Sequence, residues 1–315
     1  MAQKDINPYK YSDSNKRYYT YEYYLRHKYG CKAAKIPLDA GFSCPNIDCG
    51  GGCIYCSGRG SGDSVPEGLS LRGQYDEGRR TLSSKWDTSV CIAYLQAHTN
   101  TYGPTDKLRR IYEEILTFPG VCGLNIATRA DCLPPDVCEL LAEISHKTSL
   151  TVELGLQSSN DATAAIIRRG HDFAAFKAGY ARLREYAPEC EICIHISLGL
   201  PGETGKEMMQ TVRDTADLHP DQVKIHLLHV LKDTPMAQLL DDGSYVPLTR
   251  DEYVRLAAEA LTLLPEDTVI ARLTGDGLAS ELLAPDWSRK KTVVIIEIDK
   301  YLFANGLYQG IYRAQ

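Results

Sequence analysis

The chain has 315 residues, 43% hydrophobic and 24% charged, enough apolar material for one large domain with small extensions. Its net charge of −6 argues against a broadly cationic nucleic-acid binder, DNA above all, and no window approaches the run of about 20 apolar residues that a bilayer span needs. The opening MAQKDINPYKYSDSNKRYY is polar and lacks an apolar signal core, so a cytoplasmic protein with no membrane partner is expected.

In chain order, residues 1–33 read as a partly helical preface rich in tyrosine, which occurs 20 times in the chain. Short β-branched runs then alternate with amphipathic stretches, the pattern of a parallel α/β fold. The strand-like runs are 34–38, 89–95, 121–127, 150–156, 192–198 and 222–229, with a weaker one at 268–271. Helices are expected around 69–85, 105–117, 134–145, 161–167, 173–185, 204–218, 249–264 and 290–305. Pro104, Pro134 and Pro135 fall near helix starts, where a missing N–H costs little, and Asn160, Asp172 and Thr249 read as N-caps. Six βα units suit a closed or nearly closed barrel with its chemistry at the strands' carboxyl ends. An open doubly wound sheet gives the same string of elements. With no repeat or low-complexity linker in view, a core over 34–232 and an extension over 233–315 packed on it are expected.

The chemistry-bearing segment is 42–62, FSCPNIDCGGGCIYCSGRGSG, directly after the first strand. It carries Cys44, Cys49, Cys53 and Cys56, four of 11 cysteines in a chain without an export signal, which favours metal ligation over a disulfide framework. Three thiolates holding a [4Fe–4S] cluster leave one iron open, and glycines let the loop fold around the cube. That iron can chelate the amino and carboxylate groups of S-adenosylmethionine, and one electron then splits the sulfonium to a 5′-deoxyadenosyl radical. Two triplets share Cys53 and Cys56: Cys49 gives C-x3-C-x2-C, whereas Cys44 gives C-x8-C-x2-C. A four-cysteine structural zinc site is the alternative, and it predicts a small independent knuckle instead of a loop inside a βα series.

Beyond the cysteines, the ordered stretches KIPLDAGFSCPN, GGCIYCS, AYLQAHTNTYGP, ATRADCLP, VELGLQS, RRGHD, HISLGLPGET, KIHLLHVLKDT, RLTGDG and APDWSRKK span nearly the whole chain. In these the chain resembles the elongator-protein-three-like branch of the radical SAM superfamily, specifically its stand-alone bacterial members without an acetyltransferase domain. The resemblance implies a partial (β/α)6 TIM-like barrel with N- and C-terminal extensions. It also implies a [4Fe–4S] cluster, S-adenosyl-L-methionine as cosubstrate, and a reductant such as flavodoxin or ferredoxin. The first ligand in that branch is the cysteine of a CPN motif, so the implied metal set is Cys44, Cys53 and Cys56. The chain departs from the pattern at Ile47-Asp48-Cys49, where relatives have an arginine and a longer spacer, and Cys49 competes for the first position.

Cofactor contacts implied by the resemblance lie at the strands' carboxyl ends. Gln96, in QAHTN, stands where many relatives carry a glycine-rich element. Glu153 and Gln157 interrupt an apolar run at the parity of Gly155 and are implied to hold the methionine and ribose parts. The other reading of Glu153 is a lysine or arginine partner inside the barrel. Arg169 suits a forked grip on a carboxylate, or a helix end capped by Gly170. Arg129 and Asp131 line the site or pair with each other, and the 198–204 turn brings backbone toward adenine or simply starts a helix. His195 and His226 are barrel-facing candidates, whereas His229 cannot share a regular strand face with His226. Lys232, Arg272 and Asp276 are further candidates, and most of the remaining cysteines, including the Cys190/Cys193 pair, read as buried small hydrophobes.

Three functions follow. The first is a radical enzyme acting on RNA such as tRNA, suggested by the elongator resemblance and by the cations and stackable tyrosines of the preface. The net charge opposes it, and Tyr18, Tyr21 and Tyr24 equally suit a buried helix stripe. The second is a radical enzyme acting on a small metabolite or a protein, and the third a non-enzymatic iron–sulfur or zinc protein.

Overall fold

A computed structural model describes residues 7–60, 65–84, 86–275 and 280–313. The elements run α1 (Tyr21–Tyr29), β1 (Ala34–Leu38), α2 (Pro45–Gly50), α3 (Leu71–Ser83), β2 (Cys91–Leu95), α4 (Thr105–Leu116), β3 (Val121–Thr128) and α5 (Pro135–Ser145). Then come β4 (Ser149–Gln157), α6 (Asp161–Ile166), α7 (Phe173–Tyr186), β5 (Glu191–Leu198), α8 (Gly205–Asp217) and β6 (Gln222–Leu227). The last part holds β7 (Val230–Leu231), α9 (Pro235–Asp241), α10 (Arg250–Leu263), β8 (Val269–Arg272), β9 (Leu282–Ala284) and α11 (Lys291–Ala304).

Seven strands form one parallel sheet in the order β1-β2-β3-β4-β5-β6-β8, curled into a half-barrel. The order never reverses, whereas a doubly wound sheet has a switch point, so the open-sheet alternative is excluded. Its seventh strand, β8, comes from the 233–315 segment, so that segment completes the sheet as well as packing on it. The sixth strand stops at Leu227, short of the expected 229. β7 and β9 pair antiparallel in a separate ribbon.

Period-two alternation builds the barrel wall. Ile36, Leu38, Ala93, Leu95, Leu124, Ile126, Val152, Leu154, Ile192, Ile194, Val223 and Ile225 belong to one buried apolar core between sheet and helices. Full burial of each large aliphatic stabilises by about 1.5–3 kcal/mol. The helices answer with their own stripes, such as Leu108, Tyr112 and Ile115 of α4 at helical spacing. The expected caps are made: Asn160 accepts from the Ala162 amide, Asp172 from Ala175, and Thr249 closes a capping box with Glu252.

The Tyr-rich preface closes the barrel's lower end. The Ile270 amide donates to the Tyr19 carbonyl at 2.8 Å, laying the preface along β8, and buried Gln309 clamps it by accepting from the Tyr19 amide. Leu25 of α1 then packs on Ala33 and Ile92, flanked by Tyr21, Tyr24 and Tyr29. None of the described preface tyrosines is exposed: Tyr9 and Tyr18 are buried and the others half-buried. Tyr18, Tyr21, Tyr24 and Tyr29 pack against buried apolar residues.

Candidate active site

The other parity of each strand faces inward, and there the sequence turns polar. Near the barrel floor stand Lys35 of β1, Tyr94 of β2, Asn125 of β3, Glu153 of β4 and Lys224 of β6. Above them the inward residues are small or short: Pro37, Ala127, Gly155 and Ser197. The difference in bulk leaves a cavity of about 710 Å³ at the strands' carboxyl ends.

Glu153 is the hub of the floor. One carboxylate oxygen accepts from Lys35 Nζ at 2.7 Å and Asn125 Nδ2 at 2.9 Å. The other meets Lys224 Nζ and, at 2.9 Å, His195 Nε2. Burial alone would raise the Glu153 carboxyl, but Lys224, Lys35 and the His195 hydrogen bond outweigh it and hold it well below the usual range. Burial lowers Lys35 to about 8. It also lowers His195 to about 4, reinforced by the Lys224 charge, so the ring is neutral at pH 7. Glu153 is thus ion-paired inside the barrel and also lines the cavity.

The cysteine loop forms the facing wall. Cys44 is the N-cap of α2, with Pro45 at its first turn, and Gly51 and Gly52 at positive φ reverse the chain toward Cys53. Cys44, Cys53 and Cys56 all line the cavity, while Cys49 is exposed on α2 and is not among the lining residues. A hydrogen bond from the Cys56 thiol, the Arg169 charge and the Asn46 amide, 3.4 Å from Sγ, favour the thiolate of Cys53 over the cost of burial. Asn46 also donates to the Arg168 carbonyl at 2.6 Å, latching the loop to the turn after α6. Gly170 in that turn has φ +81°, and a Cβ there would lie 2.7 Å from Asn46 Oδ1. Three thiols on one wall, with an N–H donor and a guanidinium beside them, are a donor set that suits an iron–sulfur cluster.

Gln96, Gln157 and Arg169 line the same cavity, so all seven expected site residues meet in one place. Gln157 follows a register shift in β4, has φ 69° and accepts from Ser197 Oγ at 2.7 Å. Arg169 turns its guanidinium onto the Gly155 carbonyl, and a side chain at 155 would crowd it at 3.2 Å. Gly170, at φ 81°, caps the turn, as the second reading of this segment expects. Arg129 lines the cavity and still pairs with Asp131. His98 takes φ 57°, a left-handed backbone conformation rare for a residue with a side chain. His195, His226, His229 and Arg272 are lining residues; His229 lies beyond the end of β6, which frees it from strand parity. Lys232 is exposed and not a lining residue, and Asp276 falls outside the described residues. Cys138, Cys190 and Cys193 are buried, and burial pushes their thiols up, to about 11, 12 and 12. The sequence reading missed Lys35, Tyr94, Asn125 and Lys224. Their signal is a polar residue at inward parity in AKIPL, CIAYL, VCGLNIAT and QVKIHL.

Comparison with known proteins agrees with this geometry. Residues 45–215 match the Radical SAM superfamily and residues 220–303 the Radical_SAM C-terminal domain. The chain therefore belongs to the radical SAM superfamily. It is 42% identical over 308 residues to the Bacillus subtilis (strain 168) protein YtqA, covering 96% of this chain and 95% of that one. A Dehalococcoides mccartyi tRNA uridine(34) acetyltransferase is 29% identical over 160 residues, 49% of this chain and 33% of that protein. In fold the chain resembles the archaeal Methanocaldococcus infernus Elp3 with an N-terminal deletion, at TM-score 0.63 and 16% identity, covering 88% of this chain and 64% of that one. Among the described residues no helix is long and apolar enough to cross a membrane.

Proposed function

We propose that this chain is a radical S-adenosylmethionine enzyme in which Cys44, Cys53 and Cys56 hold a [4Fe–4S] cluster at the mouth of the half-barrel. When bound, the cluster and its cosubstrate supply a 5′-deoxyadenosyl radical for hydrogen abstraction from the substrate. The observation that carries the reading is the shared cavity: these three thiols, Gln96, Gln157 and Arg169 line one space, and Cys49 does not. Asn46 and Arg169 offset thiolate charge at Cys53. Gln157, fixed by Ser197, and Gln96 offer amide groups to the polar parts of the cosubstrate. Ile54 of the cysteine loop packs with Leu200, Leu228 and Met236 in a small apolar core that keeps water from the wall behind the thiols.

Free thiols and an oxygen-sensitive centre suit a reducing cytoplasm, with flavodoxin or ferredoxin as electron donor. RNA is the substrate class to test first, supported by the similarity to the tRNA uridine(34) acetyltransferase. A phosphate-tracking complex would hold tRNA at 50 mM salt and lose about 10³-fold or more in affinity by 200 mM. Absence of salt-sensitive retention would shift the reading to a small metabolite or a protein substrate. The class itself is tested by anaerobic reconstitution with iron and sulfide: about four irons per chain are expected. Uptake of zinc alone would overturn it.

A further inference from the structure

The cavity extends past the cysteine wall to a floor that the cofactor reading leaves unused. There two ammonium groups share one carboxylate: Lys35 and Lys224 both pair with Glu153, and neither has another acidic partner among the described residues. A second ammonium held by a carboxylate already neutralised leaves about one positive charge in a low-dielectric space. Lys35 keeps its Nζ 3.9 Å from the Tyr94 ring centre, a contact that tolerates the charge without cancelling it. The His195 ring stands 5.1 Å from that of His226, centre to centre. His195 spends its Nε2 on Glu153, whereas the buried Nε2 of His226 has no hydrogen-bond partner among the described residues. Both rings and Lys35 line the cavity. A buried polar nitrogen without a partner is unfavourable, and a ligand oxygen would satisfy it.

We propose that the floor beside Lys35 and His226 is a subsite for an oxyanion group of the substrate, a carboxylate or a phosphate. The anion accepts from Lys35 Nζ and from the Nε2–H of a neutral His226 ring, while Glu153 and Lys224 fix the height of Lys35. An anion on this floor and a cosubstrate at the cysteine wall share one continuous cavity, so the substrate's neighbouring carbons face the radical source. The inference rests on the proposed class only in calling the anion part of a substrate; anion binding itself needs no turnover.

The test uses anaerobically reconstituted, oxidised protein with 15N-labelled histidine side chains. Acetate, inorganic phosphate and neutral acetamide are titrated at fixed ionic strength. The His226 ring resonances are expected to shift saturably with acetate, with phosphate or with both, and not with acetamide; the responding anion identifies the group. Lys35→Met, which leaves the Glu153–Lys224 pair intact, should weaken binding about tenfold or more, equivalent to about 1.4 kcal/mol. His226→Phe, read at the His195 resonance, should do the same. The proposal fails if neither anion gives a saturable shift, if acetamide matches them, or if both variants bind as wild type does. Anion binding by a protein that never cleaves S-adenosylmethionine would retire the enzyme class and keep the subsite, so the two failures are separable.

Discussion

At the scale of single residues, Glu153 concentrates the electrostatics of the molecule. Its buried carboxylate serves two lysines, a histidine and an asparagine. Glu153→Gln should destabilise by about 3–5 kcal/mol in urea unfolding, because it leaves buried ammonium groups without a counter-charge. Adding Lys224→Met should restore part of that loss. The neighbouring imidazole gives a pH signature. His195 is lowered to about 4 by burial, so between pH 6.5 and pH 4 the unfolded chain binds the proton that the folded chain refuses. Stability should therefore fall by up to about 3 kcal/mol on acidification through that window. Urea midpoints at pH 7 and pH 5 measure the fall, and His195→Gln should lessen it, leaving the part that His171 and His226, depressed in the same direction by burial, contribute.

At the scale of elements, the latch between α2 and the turn after α6 sets the cysteine loop. Gly170→Ala combines a positive φ with a Cβ 2.7 Å from Asn46 Oδ1, so the Asn46 amide must shift and the latch is disturbed. The variant should fold yet hold less iron per chain than wild type after identical reconstitution; equal iron would show that the latch does not position the loop. Most long elements were legible in the sequence. Hydrophobic period and caps such as Asp172 and Thr249 mark α7 and α10 to within a residue or two. The short α2, α9, β7 and β9 were not legible, because two to seven residues carry no clear period, and tertiary contacts make them. The site divided similarly. Cys53 and Cys56 declare themselves by spacing, but Lys35, Asn125 and Lys224 converge only after distant strands curl together.

For the whole molecule, the half-barrel is a shared construction of its beginning and end. The preface lies along β8, Gln309 clamps it, and β8 pairs with β6. A chain ending at residue 232 would lack β8 and α10 and expose the flank of β6 with its core face, so it should be insoluble or lack a cooperative thermal transition. A soluble, cooperative fragment would show that the C-terminal part is an appendage.

The central claim is that a cavity wall built from Cys44, Cys53 and Cys56 is where S-adenosylmethionine is broken. The most direct measurement is the yield of 5′-deoxyadenosine per chain from anaerobically reconstituted, reduced wild type, Cys44→Ala and Cys49→Ala, assayed side by side. The account predicts product from wild type and Cys49→Ala and none from Cys44→Ala. Product from Cys44→Ala with none from Cys49→Ala, or none from an iron-loaded wild type, would contradict it.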